Sequence, residues 1–460
     1  MRVRALPPVM LLFTLALLSA CQGRPAETAG DAEPTDEVPT ATATEPPPSA
    51  TPTPQATPTT PPPTATPAFE GLLDYTGAYG GPRDGSWQRD TVARYEDLYP
   101  GVEVTYRGAN LYGSPVPTGF YLFLDSDNRP DVFSSFVVGR LRNYVQTGAI
   151  ADISDLWEQN GWHDVFPSTV RQAVTVDGKQ YFVPLALQWN PIWYRTDIFD
   201  EVGLQPPQTW DQFLAACDAL HDAGYIPVTV ATSGWTPPMA RWFSILNLRL
   251  NGPEFHEALM AGEERYDDER VRDVFEHLAL LFEHNCFSEE STNYRQAAQQ
   301  IFDGEAAMYN LGEWLSESYD EGLPQTFDFF SFPPINPDVP RAEIVHLFGA
   351  YAVAEPEHPH EARRFLTYLG GAESHTSNVE ALGRVTSNLE VDPALYNDVY
   401  RRGLQFVEDA EAITTLFEFN THPDMAARGL SALGRFWRNP QQIEETMDAL
   451  ESARQQAYDE

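Results

Sequence analysis

The chain has 460 residues and a formal net charge of −38 at pH 7, with 67 Asp and Glu against 29 Lys and Arg. So acidic a balance excludes nucleic acid and an anionic membrane surface as electrostatic partners. Three cysteines in this length exclude a fold held by a disulfide framework, and the length exceeds what one core usually serves, so two lobes are expected.

In chain order, Arg2 and Arg4 precede an apolar run from Val9 to Leu18. A membrane-spanning helix needs ~20 such residues, so this shorter run reads as the core of a cleavable signal peptide over 1–20. It ends in Leu18-Ser19-Ala20-Cys21, which resembles the lipobox of bacterial lipoproteins. That resemblance implies lipidation of Cys21 and a membrane anchor on the outer face of the cell. Residues 21–68 form the tether. Between Pro25 and Pro67 the sequence is dominated by Pro, Thr, Ala and Glu and has no Leu, Ile, Phe, Tyr or Trp, too little apolar surface to offset ordering. Proline keeps such a segment extended, at ~3.1 Å per residue where it is polyproline II.

Beyond the tether the pattern is α/β. Leu72-Leu73-Asp74-Tyr75 predicts a strand, followed by a glycine-rich loop through Gly77, Gly80, Gly81 and Gly85. Val92, Tyr95, Leu98 and Tyr99 recur at helical spacing until Pro100-Gly101, and Val102, Val104 and Tyr106 alternate as a strand does. Thr209 and Gln212 predict a capped helix start, Phe213, Leu214, Cys217 and Leu220 its buried face, and Tyr225–Val230 the next strand. Alternating strands and helices imply a mostly parallel, helix-covered sheet. Cys217 and Cys286 can pair or can stand as two buried hydrophobes.

Several segments then resemble the family 1 extracellular solute-binding proteins, the group that includes maltose-binding proteins. They are Tyr95–Val104, Pro130-Asp131-Val132-Phe133, Gly148–Ile153, Asp177–Asp197 running into Gly203–Phe213, Phe302–Asn310 with Gly312-Glu313-Trp314, and Gly383-Arg384-Val385. The resemblance implies an α/β, two-lobed periplasmic-binding-protein fold of type II, with the ligand between lobes. Carried over, lobe one holds 69–186 plus 342–382, lobe two holds 187–335 plus 383–460, and 336–341 is a hinge crossing. Further crossings are expected near Pro184–Asn190 and Gly383–Ser387. It also implies ABC permease subunits as partners, a monomer, no cofactor and no catalysis.

A sugar needs polar groups for its hydroxyls and aromatic rings for its C–H faces. The matching loops carry Asp84 and Trp87 after the first strand, Ser134 and Ser135 after the Asp131 segment, and Gln188, Trp189 and Asn190 at the first crossing. Trp235, Asn310, Glu313, Trp314 and Tyr351 complete the expected ligand set, with Trp189 as its centre. Trp193, Trp210 and Trp242 read as core, and Asp131 as a structural strand end. A mono- or oligosaccharide is the expected ligand. A polyamine, a peptide or another polar solute is the alternative on the same fold, and a secreted polysaccharide-active enzyme the alternative outside it.

Enzyme motifs do not support that last reading. The loop Gly77–Trp87 lacks the Gly-Lys-Ser/Thr ending of a phosphate loop and the spacing of a dinucleotide fingerprint. There is no Gly-x-Ser-x-Gly elbow and no His-Glu-x-x-His helix. His358-Pro359-His360-Glu361 reads as a solvated turn before a helix rather than a metal site.

Overall fold

A computed structural model describes residues 71–79, 82–110, 129–136, 141–232, 238–288, 293–318 and 323–459. All of them fall in one of the two units into which the chain divides, Ala65–Glu460. The signal peptide, Cys21 and the tether lie outside the described residues.

The strands, in chain order, are β1 (Gly71–Tyr79), β2 (Val102–Asn110), β3 (Val132–Phe136), β4 (Thr175–Val176), β5 (Lys179–Gln180), β6 (Val183–Trp189), β7 (Ile192–Arg195), β8 (Ile226–Thr229), β9 (Ala306–Asn310), β10 (Phe327–Phe330), β11 (Ala342–Ala352) and β12 (Ala412–Thr414). The helices used below are α1 (Pro82–Leu98), α2 (Trp210–Asp222), α3 (Pro238–Met260), α4 (Glu269–Glu283), α5 (Tyr294–Phe302), α6 (Pro359–Gly370), α7 (Ala372–Leu382), α8 (Asp398–Glu408), α9 (Pro423–Arg438) and α10 (Ile443–Tyr458). A six-stranded sheet runs β12-β11-β3-β1-β2, with β6 antiparallel along β11, and forms lobe one. A four-stranded sheet, β10-β7-β9-β8, forms lobe two.

Local signals explain many of the boundaries. Gly101 takes φ 102°, a turn only glycine makes without strain, and β2 begins at the next residue. Thr209 caps α2 by accepting from the Gln212 amide at 3.3 Å, while the Gln212 side chain accepts from Gln208 N at 2.8 Å rather than from the cap itself. The cap is therefore the expected one, with its reciprocal half displaced by one residue. In contrast, the expected glycine-rich loop is short. β1 continues to Tyr79 and α1 starts at Pro82, so Gly85 and Trp87 are helical. Proline tolerates a first helical position because its missing N–H would have no partner there.

Cys217 and Cys286 form a disulfide, with Cα atoms 5.0 Å apart, tying α2 to the segment after α4. That segment runs beside β8 through the Val228–Phe287 bridge. Asp131 serves structure, as its strand-end position predicts. Its carboxylate accepts from Asp74 N at 2.8 Å, His358 N at 2.8 Å and His358 Nδ1 at 2.9 Å.

Sheet pairing moves two of the expected lobe boundaries. β6 is one unbroken buried strand of the first sheet through Trp189, so the first crossing falls at Asn190-Pro191 and not after residue 186. The second passes through 331–341, between β10 and β11. The third is not at Gly383–Ser387. There Leu187 N donates to Val385 O at 2.9 Å, Thr386 Oγ1 to Leu185 O at 3.0 Å and Leu389 N to Val165 O at 3.0 Å, all within lobe one. β12 still pairs with β11, and the chain joins lobe two only afterwards, in α9 and α10 against α3 and α4.

α3 is broken at Gly252, at φ 78° and ψ 172°, and continues from Pro253. Proline has no N–H for the carbonyl four residues earlier, which is that of Arg249. The second crossing supplies the missing donor: Asn336 N reaches Arg249 O at 3.0 Å and Asn336 Nδ2 reaches Leu250 O at 3.1 Å. The Arg249 side chain holds both ends of the same crossing. Nε donates to Phe332 O at 2.9 Å, Nη1 to Ala342 O, and Nη2 pairs with Glu343 at 2.9 Å, both side chains being buried.

Candidate ligand cleft

Strand direction decides which side chains can meet. β1, β2 and β3 are parallel, so their carboxyl ends share one edge of the first sheet. β11 and β6 are mutually antiparallel, which brings His346 of β11 opposite Gln188 near the end of β6. In the second sheet β8 and β9 are parallel, and antiparallel β7 sets Ile192 opposite Asn310 at the end of β9. The carboxyl end of β9 therefore meets the start of β7 at the Asn190-Pro191 crossing. Open α/β sheets bind ligands outside the carboxyl ends of their strands.

At that junction the sequence-derived residues Gln188, Asn190 and Asn310 do come together, around a residue the sequence reading missed. Arg241, in the first turn of α3, donates through Nη1 to Asn190 Oδ1 at 2.6 Å and Asn310 Oδ1 at 3.5 Å. Asn190 Nδ2 is taken by Gln188 O at 3.2 Å and Asn310 Nδ2 by Pro191 O at 3.2 Å. Both amides thus turn their oxygens toward the guanidinium. Burial lowers the Arg241 pKa from its ordinary value, and the Glu418 carboxylate opposes that at longer range. A signal for Arg241 was available: Pro238–Leu250 is otherwise apolar or neutral, with Arg241 and Arg249 its only charges. A charge inside such a helix is rarely buried without a partner or a role.

His346 lies beside this group, its Nδ1 2.5 Å from Thr415 Oγ1. Burial, and then the Arg241 charge, push its pKa down to about 3. Trp314 keeps part of its surface open, with its ring centroid 6.1 Å from that of His346. A Cβ on Gly312 would fall 1.9 Å from the Trp314 ring, so glycine is required for the ring to lie where it does. Glu313 is buried and sits 3.8 Å from Arg384 Nε.

Other expected ligand residues are elsewhere. Trp189, the expected centre, is wholly buried, its ring centroid 5.4 Å from Trp193, 4.5 Å from Phe329 and 5.9 Å from Phe406. It is packing at the first crossing, because the ring turns away from the strand edge into an aromatic cluster that spans both sheets. Tyr351 is likewise interior, among Phe133, Tyr144 and Phe182. Trp87 is buried against Phe348, with its indole N–H 3.3 Å from Ser377 Oγ. Ser134 and Ser135 are buried at the end of β3, and Ser134 Oγ is 2.7 Å from the Tyr75 hydroxyl. Trp235 and the side chain of Asp84 lie outside the described residues. Trp193, Trp210 and Trp242 are core.

A groove of about 710 Å³ lies apart from this cluster, between α8 and the β7–β10 face, lined by Asp328, Asp398, Arg401 and Arg402 among others. Its cations are already paired, Arg402 with Asp328 at 2.5 Å and Arg401 with Asp398. Among the described residues no group of His, Cys, Asp and Glu is arranged to hold a metal, and no helix is long and apolar enough to cross a membrane.

The sequence signature of the bacterial extracellular solute-binding protein family matches residues 79–376. An uncharacterized ABC transporter extracellular-binding protein of Pyrococcus horikoshii is 21% identical over 333 residues, 70% of this chain and 73% of the relative. A probable sugar-binding periplasmic protein of Mesorhizobium japonicum is 21% identical over 280 residues, 60% of this chain and 66% of the relative. Among solved structures, the bacterial solute receptor AcbH, described as exclusive for β-D-galactopyranose, aligns with a TM-score of 0.73 at 22% identity, covering 83% of this chain and 97% of that one. A chitin oligosaccharide binding protein aligns with a TM-score of 0.73 at 20% identity, covering 84% and 99%.

Proposed function

Because the chain belongs to the bacterial extracellular solute-binding protein family, we propose that it is the lipid-anchored receptor of an ABC importer, closing two lobes over a mono- or oligosaccharide. The observation that carries this reading is the junction itself. Donors and acceptors from both sheets converge at the crossing, beside a tryptophan with open surface. Trp314 is the platform for a sugar ring, and Gln188, Glu313 and Arg241 supply the polar contacts. Asn190 and Asn310 act behind Arg241. Closure about the three crossings follows from the free energy of those contacts, which exist in full only when the lobes meet. The role is binding and handover to permease subunits, without turnover.

The test is thermal unfolding and calorimetric titration against a saccharide panel. One saccharide should raise the melting temperature, by an amount equivalent to about 2.7 kcal/mol at a hundredfold excess over Kd. A flat panel in both measurements would sink the sugar reading. Trp314→Ala should weaken the saccharide that binds by about tenfold or more, a loss of roughly 1.4 kcal/mol. Anchoring rests on Cys21 alone. Cys21→Ser should move the protein from the membrane fraction into the soluble one, and retention on the membrane would refute the anchor.

A further inference from the structure

The junction contains a cation with no carboxylate in contact, Glu418 acting on it only from longer range. Among the described residues no carboxylate lies within 4.0 Å of the Arg241 guanidinium. Arg241 is half-buried, and the wholly buried arginines differ from it: Arg249 is 2.9 Å from Glu343 and Arg454 is 3.0 Å from Glu451. Arg384 also has its carboxylate, Glu313 at 3.8 Å. Arginine cannot escape desolvation by losing its proton, so a half-buried guanidinium in a cleft favours acceptors for its N–H groups and a balancing charge. Here two amide oxygens serve Nη1 alone. The fork made by Nε and Nη2 has no hydrogen-bond partner among the described residues. Neighbouring His346 adds no competing positive charge, being held neutral by burial and by Arg241 itself.

We propose that Arg241 sets the charge of the ligand: the solute is an acidic saccharide whose uronate carboxylate docks on the Nε and Nη2 edge of this guanidinium. The inference rests on the saccharide reading above and narrows it. A planar fork accepts a carboxylate through two parallel hydrogen bonds and gains their charge-assisted strength. A pair of neutral hydroxyls fits the same fork but brings no charge into contact with it. Asn190 and Asn310 are the positioning residues, turning one edge of the guanidinium into the protein and leaving the other for the ligand. The net charge of −38 opposes an anion at long range. Salt screens that field beyond ~8 Å at physiological ionic strength, whereas contact at the fork is screened much less.

The experiment is titration of the wild-type protein with galacturonate and glucuronate mono- and oligosaccharides and with their neutral galactose and glucose counterparts. At least one uronate is expected to bind tenfold or more tightly than its neutral counterpart. Equal or tighter binding of the neutral sugar overturns the proposal and leaves the receptor reading standing. Binding of neither set overturns both. Arg241→Gln should abolish the uronate preference, bringing the uronate-to-neutral affinity ratio to about one or below whatever the loss in overall affinity, and Arg241→Lys should restore only part of it. If Arg241→Gln keeps the full preference, the carboxylate is read elsewhere and the assignment to Arg241 is wrong. The wild-type ratio needs no variant, so a folding defect in Arg241→Gln does not protect the proposal.

Discussion

Around the six-stranded sheet, cohesion comes from interlocking rings: Tyr75 and Tyr95 both meet Phe365, at 5.0 and 4.8 Å, and Trp157 meets Trp162 at 5.9 Å. Around the four-stranded sheet, helices α2, α3, α4, α9 and α10 bury a largely aliphatic and phenylalanine core, and a disulfide pins α2 to the end of α4. A larger sheet gives its covering helices a continuous surface to pack on. The smaller sheet leaves its helices packing on one another, where a covalent tie adds most. Between them, the Trp189, Trp193, Phe329 and Phe406 rings join the two cores and make the crossing a packed junction.

Reducing the disulfide should separate the two lobes most clearly. Its loop spans 69 residues, for which the chain-entropy model gives about 4 kcal/mol. Lobe two should melt first in the Cys217→Ala/Cys286→Ala double variant, turning one transition into two, with lobe one nearly unmoved. A single unsplit shift would mean the junction couples the lobes more strongly than the disulfide distinguishes them. Gly403→Ala attacks the junction instead. An added Cβ would stand 2.3 Å from the Trp189 ring, an overpacking that costs about 1–3 kcal/mol and should move both transitions together. No change would mean that α8 slides freely on Trp189.

Acid removes the distinction by a smaller, shared effect. His375 in lobe one and His346 at the junction are pushed down to about 3 by burial, from about 6.5 unfolded. The unfolded chain therefore binds the extra protons first. The stability these neutral rings protect is complete above about pH 6.5 and is lost as pH falls toward 3. At pH 5.5 each should forfeit about 1.4 kcal/mol, measurable as a lower denaturant midpoint at unchanged slope. His375→Gln should flatten that pH dependence by about half if the two act alone.

Local chemistry was readable where it is sequence-near. The turn at Gly101, the Thr209 cap and the buried face of α2 each depend on residues within one or two turns of each other. What escaped depends on distant partners. Trp189 stands next to Gln188 and Asn190 in sequence, but a strand puts successive side chains on opposite faces, so its ring enters the core that α8 and β10 bring from more than a hundred residues away. The third crossing was misplaced because β12, only three residues long, carries little periodic signal, yet it pairs with β11 and keeps the chain on the first sheet. Arg241 is one of only two charges in its apolar stretch, but the partners that give it a role, Asn190 and Asn310, lie 51 and 69 residues away.

The grip of Arg249 has a consequence for how this crossing can evolve. Phe332 and Ala342 are fastened by one side chain, so the stretch between them does not have to hold its own ends together. Closing such a loop costs only about 0.6 kcal/mol more for each doubling of its length. Residues could therefore be added between Asp338 and Arg341 at little penalty, so long as Asn336 still reaches the broken helix. The span there is free to vary in length, while the two anchorage points and the arginine that joins them are not.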